Sequence, residues 1–457
     1  IANREGKPAA LHYLQNLPKE PEDQLKQTMK KWADKYRLEA QLLIVDNQYD
    51  QAKQAYQKMI KYDNGAESLF IYAKFLQDQN AFKEAIINYQ NSLEIYRTLA
   101  KTNPDVYQPD VAMTLNNLAV LYSNQDKNTQ AKKAYDEALE IYQTLAKTNP
   151  DVYQPYVATT LNNLGFLYNK QNQNIQAEEA YDEALEIRRT LAKTNPDVYQ
   201  PDVAGTLNNL AALYYNQNQN TQAKKAYDEA LEIYQTLAKT NPDVYQSYVA
   251  GTLNNLAVLY SDQDQNTQAE KAYDEALEIR RTLAKTNPDV YQPDVATTLN
   301  NLAALYYKQN QNTQAEEVYD EALEIYQTLA KTNPDVYQSY VAGTLNNLAV
   351  LYSDQDQNTQ AEKAYDEALE IRRTLAKTNP DVYQPDVAGT LNNLAILYSD
   401  QNQNTQAEEA YDEALEIRRT LVKTNADVYG IDLADTLVMG VALLNKPKSN
   451  LDEARRL

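Results

Sequence analysis

The stretch TLNNLAVLYSNQDKNTQAKKAYDEALEIYQTLAKT, residues 114–148, decides how the rest of the chain is read. Leu115, Leu118, Ala119 and Tyr122 follow the i, i+3, i+4, i+7 rule, so they form one apolar stripe and predict a helix, called helix A here. After a polar gap, Ala131, Ala134, Tyr135, Ala138, Ile141 and Leu145 give a second stripe of the same period, a helix B ending near Lys147. The pair predicts a helical hairpin. Its small alanines, Ala119, Ala131 and Ala138, let two axes approach closely while the leucines and tyrosines fill the space between them.

The hairpin recurs. Pro104, Pro150, Pro196, Pro242, Pro288, Pro334 and Pro380 are spaced by 46 residues, and Ala426 takes the next place. Thr267 with Glu270, Thr313 with Glu316, Thr359 with Glu362 and Thr405 with Glu408 fit a capping box at the start of helix B. Thr129 and Thr221 are followed by lysine instead, and Ile175 replaces the threonine in a third unit. Between the hairpins, LAKTNPDVYQPDVA (residues 99–112) reads as a connector in which Asn103 caps a short turn starting at Pro104, and Pro109 breaks that turn and starts helix A. Ser247 and Ser339 stand where the second proline would be, so the break there must rest on weaker signals.

Tyr36, Ala40, Ala52 and Tyr56 carry a degenerate upstream copy, and Leu69, Ala73, Ala85, Tyr89 and Ser92 carry another, 33 residues on. Nine complete hairpins and one truncated one are expected: lead-in helices over 1–30, two divergent hairpins over 31–110, seven near-identical units over 111–432 and a truncated unit over 433–457. A hairpin of this kind cannot bury its apolar faces alone, so neighbours must stack. The expected fold is all-α, an α-solenoid of antiparallel helix hairpins.

The residues Leu115, Leu118, Ala119, Tyr122, Ala131, Tyr135 and Ala138 resemble the tetratricopeptide repeat signature in type and spacing. TLNNLAVLY with QAKKAYDEALEIY, followed by Asn-Pro-Asp-Val, looks most like the long repeats of the kinesin light chain type, except that NPDVYQPDV stands before Ala112, four residues more than that pattern has. The resemblance implies a right-handed superhelix with helix A on the concave side. It also implies that the asparagines of LNNLA face a peptide groove: Asn116, Asn117, Asn162, Asn163, Asn208, Asn209, Asn254, Asn255, Asn300, Asn301, Asn346, Asn347, Asn392 and Asn393. An amide offers a donor and an acceptor and so suits a peptide backbone; the alternative is a solvated polar face. The basic residues that some such grooves use to clamp a C-terminal carboxylate are absent beside them, so that mode of binding is not expected.

Composition removes whole classes of function. With no cysteine and the single histidine His12, thiolate, zinc and imidazole chemistry lack their residues, and no catalytic residue, cofactor or metal is expected. The stretch Asp262, Asp264, Asn266 resembles the start of a calcium loop, but it has no glycine at the sixth place and Tyr273 at the twelfth. Acid runs such as Glu178, Glu179, Asp182, Glu183 and Glu186 recur on every helix B and read as a solvated face. A formal charge of −21 argues against nucleic acid and against an anionic membrane as partners. No apolar run approaches a membrane span. The chain is expected to be soluble, cytoplasmic or secreted. It opens on Ile1, as a processed chain or a trimmed one would.

Units also alternate. EIYQ in one is followed by QPY or QSY, whereas EIRR in another is followed by QPD, a two-unit period of 92 residues. Tyr142 varies with Tyr156 and Tyr234 with Tyr248, against Arg189 with Asp202 and Arg281 with Asp294. Either these residues touch, aromatic on aromatic and charge on charge, or a two-unit block was duplicated; residues 249–294 and 341–386 are identical, as duplication would leave them.

Near-identical units present a periodic surface with little to tell one part of a ligand from another. The expected function is a non-catalytic protein–protein interaction scaffold with a protein or peptide partner, including further copies of itself joined head to tail into a filament. For that assembly, the eight bases against five acids of residues 1–37 offer a complement to the acidic array. The alternative is a peptide-binding adaptor or the sensor array of a larger signalling protein.

Overall fold

The structure is a computed structural model describing residues 19–444 and 449–456. The apolar segment AALHYL of the expected lead-in lies outside the described residues. The described residues form twenty helices and no strand: α1 Lys19–Val45, α2 Tyr49–Tyr62, α3 Ala66–Asp78, α4 Phe82–Thr102, α5 Pro104–Asn124, α6 Asn128–Thr148, α7 Pro150–Lys170, α8 Asn174–Thr194, α9 Pro196–Asn216, α10 Asn220–Thr240, α11 Pro242–Asp262, α12 Asn266–Thr286, α13 Pro288–Lys308, α14 Asn312–Thr332, α15 Pro334–Asp354, α16 Asn358–Thr378, α17 Pro380–Asp400, α18 Asn404–Thr424, α19 Ala426–Leu443 and α20 Ser449–Ala454. Odd-numbered helices are helix A of their hairpin and even-numbered ones helix B. The chain divides into two compact units, Ile1–Ala226 and Tyr227–Leu457.

The turn inside each hairpin is set by one residue. Asp126 has a φ of 56°, in the left-handed region. Lys127 N donates to Tyr122 O at 2.9 Å and Asp126 N to Ser123 O at 3.2 Å. These are the two bonds of a Schellman ending, made here with aspartate or asparagine where glycine is usual. Asn47, Asn80, Asn172, Asn218, Asp264, Asn310, Asp356 and Asn402 hold the same conformation. The residues that look like a calcium loop are therefore a helix ending, with Asp264 as its left-handed residue.

The joint between hairpins is shorter than the sequence suggests. Helix α4 ends at Thr102 and α5 begins at Pro104, so a single residue, Asn103, forms the joint. A proline disfavours helical backbone at the residue before it, and Asn103 sits accordingly at φ −142°, ψ 74°. The expected asparagine cap is not formed: Asn103 and its counterparts Asn149, Asn195, Asn241, Asn287, Asn333 and Asn379 make no side-chain cap bond. Only where Ala426 replaces the proline does the side chain cap, Asn425 accepting from Val428 N at 3.4 Å. Here the cap does what the proline does elsewhere.

Pro109 does not break the helix either. It lies inside α5, as Pro155, Pro201, Pro293 and Pro385 lie inside α7, α9, α13 and α17. Its missing N–H leaves only the second-turn bond to Asp105 unmade. Helices α11 and α15, with Ser247 and Ser339 at that place, have the same 21 residues as those with proline. The residues beyond the usual repeat are thus absorbed into helix A. The capping boxes are absent for a related reason: helix B starts two residues earlier, with Gln265, Gln311, Gln357 and Gln403 at the cap and no side-chain cap bond, so the threonines lie within the first turn.

The cores follow the two stripes. In the first unit Leu118, Ala119, Leu121, Ala131, Tyr135 and Ala138 are buried together. The degenerate hairpins close the same way, over Ala40, Ala52, Tyr56, Ala73, Ala85 and Tyr89. In the second unit Leu345, Ala349, Ala361, Tyr365, Ala368, Leu391 and Leu394 repeat the arrangement. Each fully buried leucine contributes about 1.5–3 kcal/mol. The last hairpin has only the six-residue α20 as its helix B.

The helix A face as candidate functional site

Within each unit, consecutive A helices touch along their asparagines. Asn209 Nδ2 donates to Asn162 Oδ1 at 3.2 Å in the first unit. In the second, Asn301 donates to Asn254 (3.3 Å), Asn347 to Asn300 (3.4 Å) and Asn393 to Asn346 (3.4 Å). The second asparagine of one helix A thus reaches the first asparagine of the helix A before it. Asn300 Oδ1 also accepts from Thr344, Asn346 Oδ1 from Arg372, and Asn392 Nδ2 donates to Thr436 Oγ1 at 2.8 Å. Asn117 bonds back to Met113 O instead, and Asn116 Oδ1 is buried without a donor. Asn255 is exposed, and Asn163 and Asn208 are half-buried. Eight of the asparagines thus pair in four rungs of a ladder, each rung using one donor and one acceptor.

Consecutive B helices are bridged differently. Exposed pairs span them, Arg97–Glu137 (2.6 Å) in the first unit and Arg281–Glu321 (2.5 Å), Arg373–Glu413 (2.6 Å) and Arg419–Glu453 (2.7 Å) in the second. Hollows open between them, about 630 Å³ beside Arg97 and Glu137 and about 710 Å³ between Gln235 and Glu275. Tyrosines latch helix A to the helix B before it: Tyr214 bonds Glu178 in the first unit, and Tyr306 bonds Glu270, Tyr352 Glu316 and Tyr398 Glu362 in the second. Burial, with the nearby carboxylates adding to it, pushes the Tyr306 phenol up to about 12.

The covarying residues touch. Tyr142 stacks on Tyr156 with ring centroids 5.1 Å apart, and Tyr234–Tyr248 and Tyr326–Tyr340 repeat the contact. In the other joints the partner of the aspartate is the first arginine of EIRR. Arg188, Arg280 and Arg372 donate to the backbone carbonyls of Asp202, Asp294 and Asp386 and to the hydroxyls of Thr206, Thr298 and Thr390. Arg281, expected against Asp294, pairs with Glu321 instead. Residue 280, not 281, aligns with Tyr234, and one step along a helix turns a side chain by about 100°. Burial lowers the pKa of Arg280 and Arg372 against the opposing pull of Asp294 and Asp386.

The units are less uniform than their spelling suggests. On helix A they differ at the places of Pro109, Asp110, Met113, Ala119, Val120, Ser123 and Asn124, and four of these, Asp110, Met113, Val120 and Asn124, share one side. Together with Asn117 these four are spaced 3, 4, 3 and 4 residues apart, a single stripe of a helix. In the next unit the stripe reads Tyr156, Thr159, Asn163, Phe166 and Lys170, and later Tyr340, Gly343, Asn347, Val350 and Asp354. It lies opposite the buried stripe of Leu115, Leu118, Ala119 and Tyr122, with Tyr156, Tyr248 and Tyr340 about half exposed at 45%, 52% and 49%. This side of helix A thus carries both the asparagine ladder and four of the places where the units diverge.

Among the described residues no group of three or more His, Asp or Glu is placed to hold a metal ion, and no helix is long and apolar enough to cross a membrane. The family model described as tetratricopeptide repeat matches residues 110–190, 202–281, 248–328 and 340–420. No curated protein matches the chain. Among solved structures, BtubC (BKLC) from P. vanneervenii is 28% identical with a TM-score of 0.45, covering 54% of this chain and 92% of that one. A signal transduction ATPase with numerous domains and a tetratricopeptide repeat sensor, from Pyrococcus horikoshii, is 15% identical with a TM-score of 0.55, covering 88% of this chain and 54% of that one. The kinesin light chain-type, nearly identical TPR-like repeats of Podosopora anserina are 21% identical with a TM-score of 0.38, covering 49% and 98%. With buried stripes, hairpins and family match in agreement, the chain belongs to the tetratricopeptide repeat family of protein-interaction scaffolds.

Proposed function

We propose that this scaffold receives an extended polypeptide along its helix A face. The observation that carries the reading is the coincidence of the asparagine ladder with the variable stripe. Each rung spends one amide donor and one acceptor on its neighbour, which leaves the other half of each amide to bond a peptide backbone. The differing side chains beside the rungs supply the discrimination that the amides cannot. No catalytic step is proposed. Panning a random peptide library against the full chain tests the reading: selected peptides bind the wild type and lose at least tenfold in affinity to the Asn301→Ala, Asn347→Ala, Asn393→Ala variant. Undiminished binding to that variant removes the helix A face from the account.

A second reading, head-to-tail self-assembly into a filament, is supported by apolar side chains exposed on the first described helix and on helix A of the last hairpin. Leu38, Leu42 and Val45 lie exposed on α1, and Ile431, Val438 and Leu443 on α19. An apolar patch on each of two different surfaces is what a heterologous, non-closing contact uses. Negative-stain microscopy of the full chain across a concentration series checks it, with filaments that disappear in Ile431→Lys, Val438→Lys expected; a monomer at every concentration rejects it.

A further inference from the structure

We infer that the helix A face of the second unit is built for a basic partner: an extended segment carrying lysine or arginine at about every third residue. The inference rests on the proposed role of that face and adds the chemistry of what it binds.

Along α11, α13, α15, α17 and α19, the variable stripe carries Asp262, Asp294, Asp354, Asp386, Asp400, Asp432 and Asp435, and one base, Lys308. Lys308 is already engaged, 2.7 Å from the Asp264 carboxylate and 2.6 Å from Ser261 O. The two arginines on this face are already engaged. Arg372 donates to the Asp386 carbonyl, Thr390 and Asn346, and Arg418 lies 2.6 Å from the Asp432 carboxylate. A hollow of about 370 Å³ opens on this face, lined by Asn346, Asn393, Asp386, Asp435 and Ile396 as well as by those two arginines. Asp386 and Asp435 of its lining are exposed, as is Asp400 at the end of the same stripe on α17.

Aromatic rings are interleaved with the acids. Tyr248 and Tyr340 stand at the places that Asp294 and Asp386 hold in the units between, each about half exposed and each backed by a buried partner ring, Tyr234 or Tyr326. A phenol ring held in place is a surface for an ammonium or guanidinium group, and a flanking carboxylate adds to the attraction. The 92-residue alternation is then read as a ligand-facing pattern of ring, acid, ring, acid. Packed A helices lie about 8–10 Å apart and an extended chain rises about 3.3 Å per residue, so one unit meets about three residues of the partner.

The test uses the full chain and three labelled twelve-residue peptides, each a four-fold repeat of Lys-Gly-Ser, Asn-Gly-Ser or Glu-Gly-Ser, with binding followed by fluorescence anisotropy at low and raised salt. The lysine peptide is expected to bind at least tenfold more tightly than the other two and to weaken as salt rises. The variant Asp294→Asn, Asp386→Asn, Asp400→Asn, Asp435→Asn should lose at least tenfold, and Tyr248→Ala, Tyr340→Ala about as much. A helix B variant with the same loss of charge, Glu275→Gln, Glu278→Gln, Glu367→Gln, Glu370→Gln, should lose less than twofold. Equal losses from the two charge variants overturn the proposal by reducing it to attraction by net charge. Equal binding of the asparagine and lysine peptides, lost on Asn301→Ala, Asn347→Ala, Asn393→Ala, overturns the basic partner while leaving the helix A face in place. Binding that only the helix B variant weakens overturns both.

Discussion

Tyr326 and Tyr340 stack with ring centroids 5.1 Å apart and planes 22° from parallel, while the matching places one unit on hold Arg372 and the Asp386 carbonyl it bonds. The two joints use different chemistry in the same backbone. Tyr326→Arg alone should destabilise by removing the buried ring of the stack and its bond to Thr297, and Tyr340→Asp alone by leaving Tyr326 without its partner ring. The double change recreates the arginine joint, since Thr344 stands where Thr390 does. A coupling of about 1 kcal/mol favouring the double variant is expected from urea denaturation. Strict additivity would show that the covariation reflects duplication alone.

Asn310 holds a φ of 59° at the end of α13. Asn310→Ala forces a side chain without a local hydrogen-bonding group into the left-handed region, at a cost of about 1 kcal/mol, whereas Asn310→Gly should cost nothing. Thermal denaturation of the two variants side by side checks this, and equal midpoints would contradict it.

Gly165 is alone among its counterparts, which are Ala119, Ala211, Ala257, Ala303, Ala349 and Ala395. A Cβ added there meets the Tyr181 ring at 2.7 Å, so the ring must retreat. Sister hairpins keep both the alanine and the tyrosine buried, which shows that the retreat is possible. Gly165→Ala should therefore raise stability by about 0.5–1 kcal/mol through helix propensity. A lower denaturation midpoint would mean that Tyr181 is fixed where it lies.

Burial, with Glu270 nearby as the second cause, raises the pKa of Asp274; Asp320 and Asp366 are raised in the same way beside Glu316 and Glu362. A carboxyl raised on folding favours its protonated form in the native state. Its stabilising effect is present at low pH and is lost as pH rises from about 4, the unfolded value, through the higher folded one. Asp274→Asn, Asp320→Asn, Asp366→Asn should accordingly be more stable than wild type at pH 7 and lose less stability between pH 4 and 7. Parallel pH profiles for the two proteins would reject this origin.

The hairpins were legible because both stripes are written in large and small apolar residues at helical spacing, and a 46-residue period repeats the message. The joints were misread for physical reasons. Pro109 looks like a stop, yet it stands near enough to the start of α5 for the helix to run through it. Asn103 looks like a cap, yet the following proline already fixes its backbone. The left-handed Asp126 carries no glycine to announce it. The asparagines could be placed on one face, but their bonding to one another depends on how closely the A helices approach, which no single hairpin encodes. That Asp110, Met113, Val120 and Asn124 share a side follows from their spacing alone; that the asparagine ladder runs along it needed the packed A helices.

Under the proposed function the partner lies on helix A, not helix B. Photo-crosslinking tests it most directly: a benzophenone amino acid is placed at Val350 on α15, at Ile396 on α17, or at Glu321 on α14 and Glu367 on α16, and each protein is irradiated with a bound peptide selected by panning. Crosslinks are expected from positions 350 and 396 and none from 321 and 367. Crosslinks confined to 321 and 367 would contradict this placement.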